Sequence, residues 1–206
     1  MGLPTVNRYQ LSRIQPHTFA PFLKHLKKIF ASMDQKYQEA ADYYGFNCKG
    51  CEDNCCLTRF YHYTLIEYFY IREGFHGLEN RKQVKVKQRS LAVCRETDEA
   101  DEKGEPVKQM CPVNFEGLCV LYPYRPMICR LHGIPHELQR PGQGILNSPG
   151  CDTFALKCHE KKRFKFDRTP FYMQMAALEK EMKQSVGMTQ KIKMTVAQMI
   201  VTFGDG

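Results

Sequence analysis

Cys48-Lys49-Gly50-Cys51-Glu52-Asp53-Asn54-Cys55-Cys56 is the stretch on which the reading of the fold turns. A Cys-x-x-Cys turn curls the chain so that two sulfurs reach one ion while backbone N–H groups point at the thiolates, and Gly50 suits the tight turn. Residues 46–59 read as a cysteine-rich loop, and the Cys-, Pro- and Gly-rich stretch 110–151 buries little apolar area on its own, so an added cross-link such as metal is physically reasonable there. Cys55 and Cys56 are adjacent, which predicts diverging side chains. They would then serve different metals, or only one of them would be a ligand.

Upstream, the apolar residues from Thr18 to Tyr44 recur at helical spacing: Phe22, Leu23, Leu26, Ile29, Phe30, Met33, Tyr37, Ala40, Ala41 and Tyr44. That is one apolar stripe, with Pro21 in a first turn and Gly45 as a stop. Downstream, Thr64 and Glu67 form a capping-box pattern for a helix to Glu73, broken by Gly74 and Gly77. Residues 78–100 read as a solvated, highly charged helix, followed by a polar turn from Glu102 to Pro106. Residues 110–151 read as loops with a short hairpin around Phe115-Glu116-Gly117. Thr169 as N-cap and Pro170 at the first position open a helix to about Ser185. Thr195 caps a last short helix through Val201, a run that also reads as a strand.

Further cysteines lie at Cys111, Cys119, Cys129 and Cys151, so eight candidate metal ligands arise: Cys48, Cys51, Cys55, Cys56, Cys111, Cys119, Cys129 and Cys151. Eight sulfurs fill two tetrahedral sites, or one cluster with spares. Arg125 and Arg130 flank the second group. Their cations offset thiolate charge or hold an anionic ligand, or else they pair with carboxylates in the ordinary way. Cys94 and Cys158 read as plain residues. His132 is a weaker candidate ligand than the thiols, and His136 and His159 are weaker again.

The chain has 206 residues, enough for one good-sized core, and a net charge of +8. The positive balance favours acidic partners such as nucleic acid, an anionic membrane surface or an acidic protein, of which an acidic protein is the expectation. Nucleic acid is not favoured, because the basic stretches from Arg81 to Arg89 and from Lys157 to Arg168 carry no recognition motif. The start has no basic region followed by an apolar one, and no run approaches the roughly 18 apolar residues of a membrane span. The expectation is a cytoplasmic protein, where ten cysteines persist as thiols that attract soft metals. There is no phosphate loop, dinucleotide fingerprint or His-Glu-x-x-His. Cys48, Cys51 and Cys55 are spaced two then three, the reverse of the radical-SAM order.

This arrangement resembles the YkgJ-type cysteine-cluster family, described as a zinc- or iron-chelating domain. The resemblance rests on Cys48-x-x-Cys51-x-x-x-Cys55-Cys56, the Thr64-Leu-Ile-Glu67 helix start, Cys111-Pro112, Cys119, and Tyr122-x-x-Arg125-Pro126-x-x-Cys129-Arg130. It covers residues 45–132 and leaves Cys151 outside. The same domain is similar to part of the flagellin lysine N-methylases, associated with an iron–sulfur cluster and S-adenosylmethionine. That likeness implies an iron–sulfur cluster in preference to zinc, with S-adenosylmethionine as a further cofactor.

Three functions follow as expectations. One is a metal-binding module holding a cluster or zinc. Another is an S-adenosylmethionine-dependent lysine methyltransferase-like enzyme, with Glu52, Asp53 and Glu67 near the cluster as proton acceptors. The third is a structural zinc module for protein interaction. The expected fold is mostly α: a single domain over 1–206 with at most a short β-hairpin. Its metal-pinned, loop-rich centre spans 45–151, flanked by helices over 16–44 and 169–203. The sequence does not indicate an oligomeric state.

Overall fold

The computed structural model describes residues 11, 14–47, 55–140, 142–158, 160–189 and 191–204. Cys48, Cys51, Glu52, Asp53 and His159 lie outside the described residues. The principal helices are α1 (Pro16–Tyr44), α2 (Leu65–His76), α3 (Asn80–Lys103), α4 (Met127–Leu131), α5 (Asp152–Cys158), α6 (Thr169–Ser185) and α7 (Val196–Thr202). Two antiparallel hairpins join them, β1 (Asn114–Phe115) with β2 (Leu118–Cys119), and β3 (His136–Arg140) with β4 (Gly144–Ser148). The fold is thus mostly helical, with two hairpins where the sequence predicted at most one.

α1 follows its apolar stripe: Phe19, Leu23, Leu26, Phe30, Met33, Ala40 and Tyr44 are buried on one face. It runs over the expected 16–44, with Pro16 in the first turn. Pro21 therefore lies inside the helix, on its exposed side, where the carbonyl it leaves unpaired can meet water. Gly45 ends it at φ 60°, a left-handed cap that glycine adopts without a Cβ clash.

α2 is the central element. Leu65, Ile66, Tyr68, Phe69, Tyr70, Ile71 and Phe75 are all buried, so the helix is apolar on every side. It contacts α1, α6 and α7, and Phe69 stacks on Phe19 at 4.4 Å. Its first N–H groups are taken by a buried carboxylate from α6. Glu179 Oε1 accepts from Leu65 N at 2.9 Å and Oε2 from Ile66 N at 3.0 Å. Negative charge at a helix N-terminus is favourable, and here it also ties α6 to α2. Thr64 accepts from Glu67 N as expected. The reciprocal half of the box is replaced, because the Glu67 side chain turns to Met127 instead.

α2 also runs through Gly74, where the sequence predicted a break. Tyr124 presses on this position: a Cβ there would stand 2.4 Å from its Cγ. The glycine is thus a packing requirement inside the helix, and Gly77 is the cap. α3 likewise continues through the expected polar turn to Lys103 and stops at Gly104 with φ 69°. Its buried face, Val86, Ser90 and Thr97, lies on the side from which α7 packs.

Thr195 caps α7 with a full capping box, its Oγ1 accepting from Gln198 N and Gln198 Oε1 from Thr195 N, so the helical reading of that run holds over the strand. Thr169 is the first helical residue of α6 and not its N-cap. Its hydroxyl accepts from Gln139 N at 2.8 Å and so joins β3 to α6. No described helix is long and apolar enough to cross a membrane.

Candidate functional site

Four local devices bring distant cysteines toward one place. Cys55 and Cys56 open a 3-10 turn over Cys55–Leu57. That turn is followed by Arg59, which grips Asp101 of α3 with two bonds of 2.7 Å. Cys111 N donates to Cys56 O at 2.8 Å, stitching the second cysteine segment to the first. The β1–β2 hairpin then returns the chain so that Asn114 pairs with Cys119. Its turn residues, Glu116 at φ 52° and Gly117 at φ 82°, give the two-residue turn that matches strand twist. Finally α4 carries Cys129.

Cys55, Cys56, Cys111, Cys119, Cys129 and Cys151 all line one cavity of about 840 Å³. Cys56, Cys111, Cys119 and Cys129 act on one another electrostatically. Charge on Cys111, Cys119 and Cys56 helps drive the Cys129 thiol well above its ordinary value, after burial, the main cause. Burial likewise pushes Cys111 up to about 12, with Cys56 and Cys119 adding to it, and raises Cys119. Cys56 goes the other way, to about 6. A hydrogen bond from Cys55 is the largest cause, followed by one from Asn114 and by the Arg125 cation. The adjacent thiols of Cys55 and Cys56 therefore engage each other, where the sequence predicted divergence.

Backbone amides face two of these sulfurs. The Val113 N–H is directed at the Cys111 sulfur and the Leu121 N–H at the Cys119 sulfur, each two residues on. Such amide bonds favour the charged sulfur against its desolvation. Cys151 stands apart, at the start of α5, where its Sγ accepts from Phe154 N at 3.4 Å. Among the described residues no group of three or more His, Cys, Asp or Glu side chains is arranged to hold a metal ion.

The two arginines separate. Arg125 lies 3.6 Å over the Tyr122 ring and lowers the Cys56 and Cys119 thiols, so its charge reaches the sulfurs. Arg130 is buried and committed to structure. It donates to Asp34 Oδ2 at 2.5 Å, to Arg125 O at 2.7 Å and to Pro123 O, over the Phe30 ring. It fixes the loop that carries Arg125 against α1. Glu67 is buried beneath α4 and is raised above the usual carboxylate range, chiefly by desolvation.

Cys158 is a core residue that donates to Tyr44 O at 3.7 Å. Cys94 lines the cavity from α3. His132 borders the cavity with its ring against Phe60, while His136 sits half-buried on β3. Sequence reasoning passed over His62, which is 2% exposed, has no partner for its Nε2 among the described residues and also borders the cavity. Its apolar surroundings come from segments far along the chain, such as Met194, with which it forms a bridge. No protein-family model, curated protein or solved structure matches the chain.

Proposed function

We propose that this protein is a cysteine-cluster metal-binding protein that holds an iron–sulfur cluster, in preference to zinc, through Cys thiolates. The observation that carries the reading is that Cys56, Cys111, Cys119 and Cys129, far apart in sequence, line one cavity, with amides aimed at two of those sulfurs. Thiols that raise one another's pKa gain most when cations replace their protons. A cluster takes about four such ligands and so does structural zinc. The YkgJ-type resemblance tips the choice to iron. Cys48 and Cys51 complete the set in this reading, and Cys55 and Cys151 are its outlying members.

Within the reading, Arg125 offsets the negative charge of the thiolates, and Arg130 positions it. A bound cluster supplies one-electron chemistry, whereas zinc supplies a cross-link. Protein prepared without oxygen should be brown, with broad visible absorption and with iron and sulfide in its analysis. Colourless protein holding zinc alone would support the structural zinc module instead.

The cavity favours a second reading, an enzyme of the S-adenosylmethionine-dependent lysine methyltransferase type. Its volume is that of a small-molecule site, and it adjoins the thiols. Calorimetric titration of the metal-loaded protein with S-adenosylmethionine tests it, and absence of heat removes it.

A further inference from the structure

We propose that the β1–β2 hairpin, beside the cysteine cavity, is a docking surface for an acidic protein segment, held by Lys82, Arg89 and Arg125 around exposed Leu118 and Tyr122. Each cation is laid over an aromatic ring. Lys82 and Arg89 both stand 4.4 Å from the Phe115 centroid, and Arg125 stands 3.6 Å from that of Tyr122. Among the described residues none of the three forms an ion pair with a carboxylate. Leu118 is 75% exposed at the hairpin and Tyr122 58% exposed beside it, and both line the cavity. Cations held in place by rings, next to uncovered apolar side chains, are what an interface with a carboxylate-bearing partner uses.

The charge order of α3 points the same way. From Arg81 to Arg89 it carries five cations and no carboxylate, and from Glu96 to Glu102 five carboxylates and no cation. A helix is stabilised by the reverse order, acids at its N-terminus and bases at its C-terminus. Only Glu79, just before the helix, and Lys103, in its last turn, have the favourable sign, and Glu79 makes no capping bond. The stability of α3 therefore does not account for its cations, whereas recognition of an acidic ligand does. Arg89 acts electrostatically on Cys111, and Arg125 on Cys56 and Cys119, so these cations stand near the thiols, while Val93, Cys94, Thr97 and Asp98 of the other half of α3 line the cavity itself.

The occupant is an acidic protein segment and not nucleic acid. A long polyanion laid along this helix meets the acidic half of α3 and exposed Glu116 at the hairpin turn. The aliphatic Leu118 offers a base no stacking platform. A short segment with carboxylates flanking an apolar side chain fits both parts of the surface. The role of such a partner, exchanging electrons or metal with the centre, rests on the proposed function. The surface itself does not.

The test is fluorescence anisotropy with three labelled probes: a short peptide alternating glutamate and leucine, a glutamate-only peptide, and a single-stranded oligodeoxynucleotide of equal charge. The mixed peptide should bind most tightly and lose affinity with salt. The double variant Lys82→Glu/Arg89→Glu should weaken it about tenfold or more, and Leu118→Ser several-fold. Charge reversal at Lys157 and Lys162, in the other basic stretch, should leave binding unchanged. Failure of the mixed peptide to bind, equal or tighter binding of the oligonucleotide, or equal loss in the Lys157/Lys162 variant would overturn the proposal. Iron and zinc measured in the same preparations keep the two ideas apart. Docking without metal removes the metal centre alone, and metal without docking removes the docking surface alone.

Discussion

Glu67 on α2 accepts the backbone N–H of Met127, the first residue of α4, at 2.8 Å. One buried carboxylate thereby fixes the short helix that presents Cys129. Its second oxygen accepts the Thr64 hydroxyl at 2.5 Å. Glu67→Ala leaves a buried N–H and a hydroxyl unpartnered, which costs about 1–3 kcal/mol. Glu67→Gln keeps the acceptor and should recover most of that loss in chemical denaturation. If the two variants unfold at the same denaturant concentration, Glu67 does not hold α4.

Arg130 is the anchor of the loop from Tyr122 to Arg125. Breaking its bonds to Asp34, Arg125 O and Pro123 O takes the side-chain donor from the Arg125 carbonyl, whereas Pro123 O keeps the Tyr70 hydroxyl at 2.9 Å and Asp34 meets water. Arg130→Ala should cost about 3 kcal/mol, and Arg130→Lys should recover little, because an ammonium lacks the fork that reaches three acceptors. Asp34→Asn should cost about 1 kcal/mol or less, since the Asp34 side chain is 45% exposed. Equal losses at the two positions would contradict this assignment.

Gly74 is the point at which α2 admits the Tyr124 ring. Gly74→Ala places a Cβ at 2.4 Å from Tyr124 Cγ, and overpacking of that kind costs about 1–3 kcal/mol. Combining it with Tyr124→Ala, which removes the ring, should give a non-additive result. Additive losses would show that the contact is not the reason for the glycine.

How much of this was legible beforehand depends on which force shapes each element. α1, α2, α3, α6 and α7 follow from periodicity, caps and charge, because those signals are local. The β3–β4 hairpin was missed because its residues are half-buried or exposed, without the alternation that marks a strand. It is held by backbone bonds to the 166–168 segment: Glu137 N donates to Phe166 O and Arg168 N to Glu137 O. α4 is too short for a periodic signal, and Glu67 fixes its start from another helix. In the site, cysteine spacing pointed to eight residues, of which Cys55, Cys56, Cys111, Cys119, Cys129 and Cys151 line the cavity. It did not separate Arg125 from Arg130, because only packing decides which guanidinium faces Asp34. Nor did it find Cys94 or His62, whose places depend on how α3 and the 194–198 segment close the cavity.

His62 makes the fold sensitive to acid. Burial pulls its imidazole from 6.5 down to about 4, so the native state holds it neutral. Above about pH 6.5 both states are neutral and the residue is indifferent. As pH falls from there toward about 4, the unfolded chain takes up a proton that the native state refuses, and about 3 kcal/mol of stability is lost. His62→Phe should flatten that part of the stability–pH curve. An unchanged slope in the variant would place the titrating group elsewhere.

The account stands or falls on whether thiols distant in sequence share a metal centre, and elemental analysis of a cysteine series prepared without oxygen tests that most directly. The native chain should carry iron with sulfide, or else zinc. Cys111→Ser, Cys119→Ser and Cys129→Ser should each lose most of it, and Cys158→Ser, a change in the hydrophobic core, should retain it. A native chain free of both metals, or serine variants at 111, 119 and 129 that keep their full content, would contradict the account.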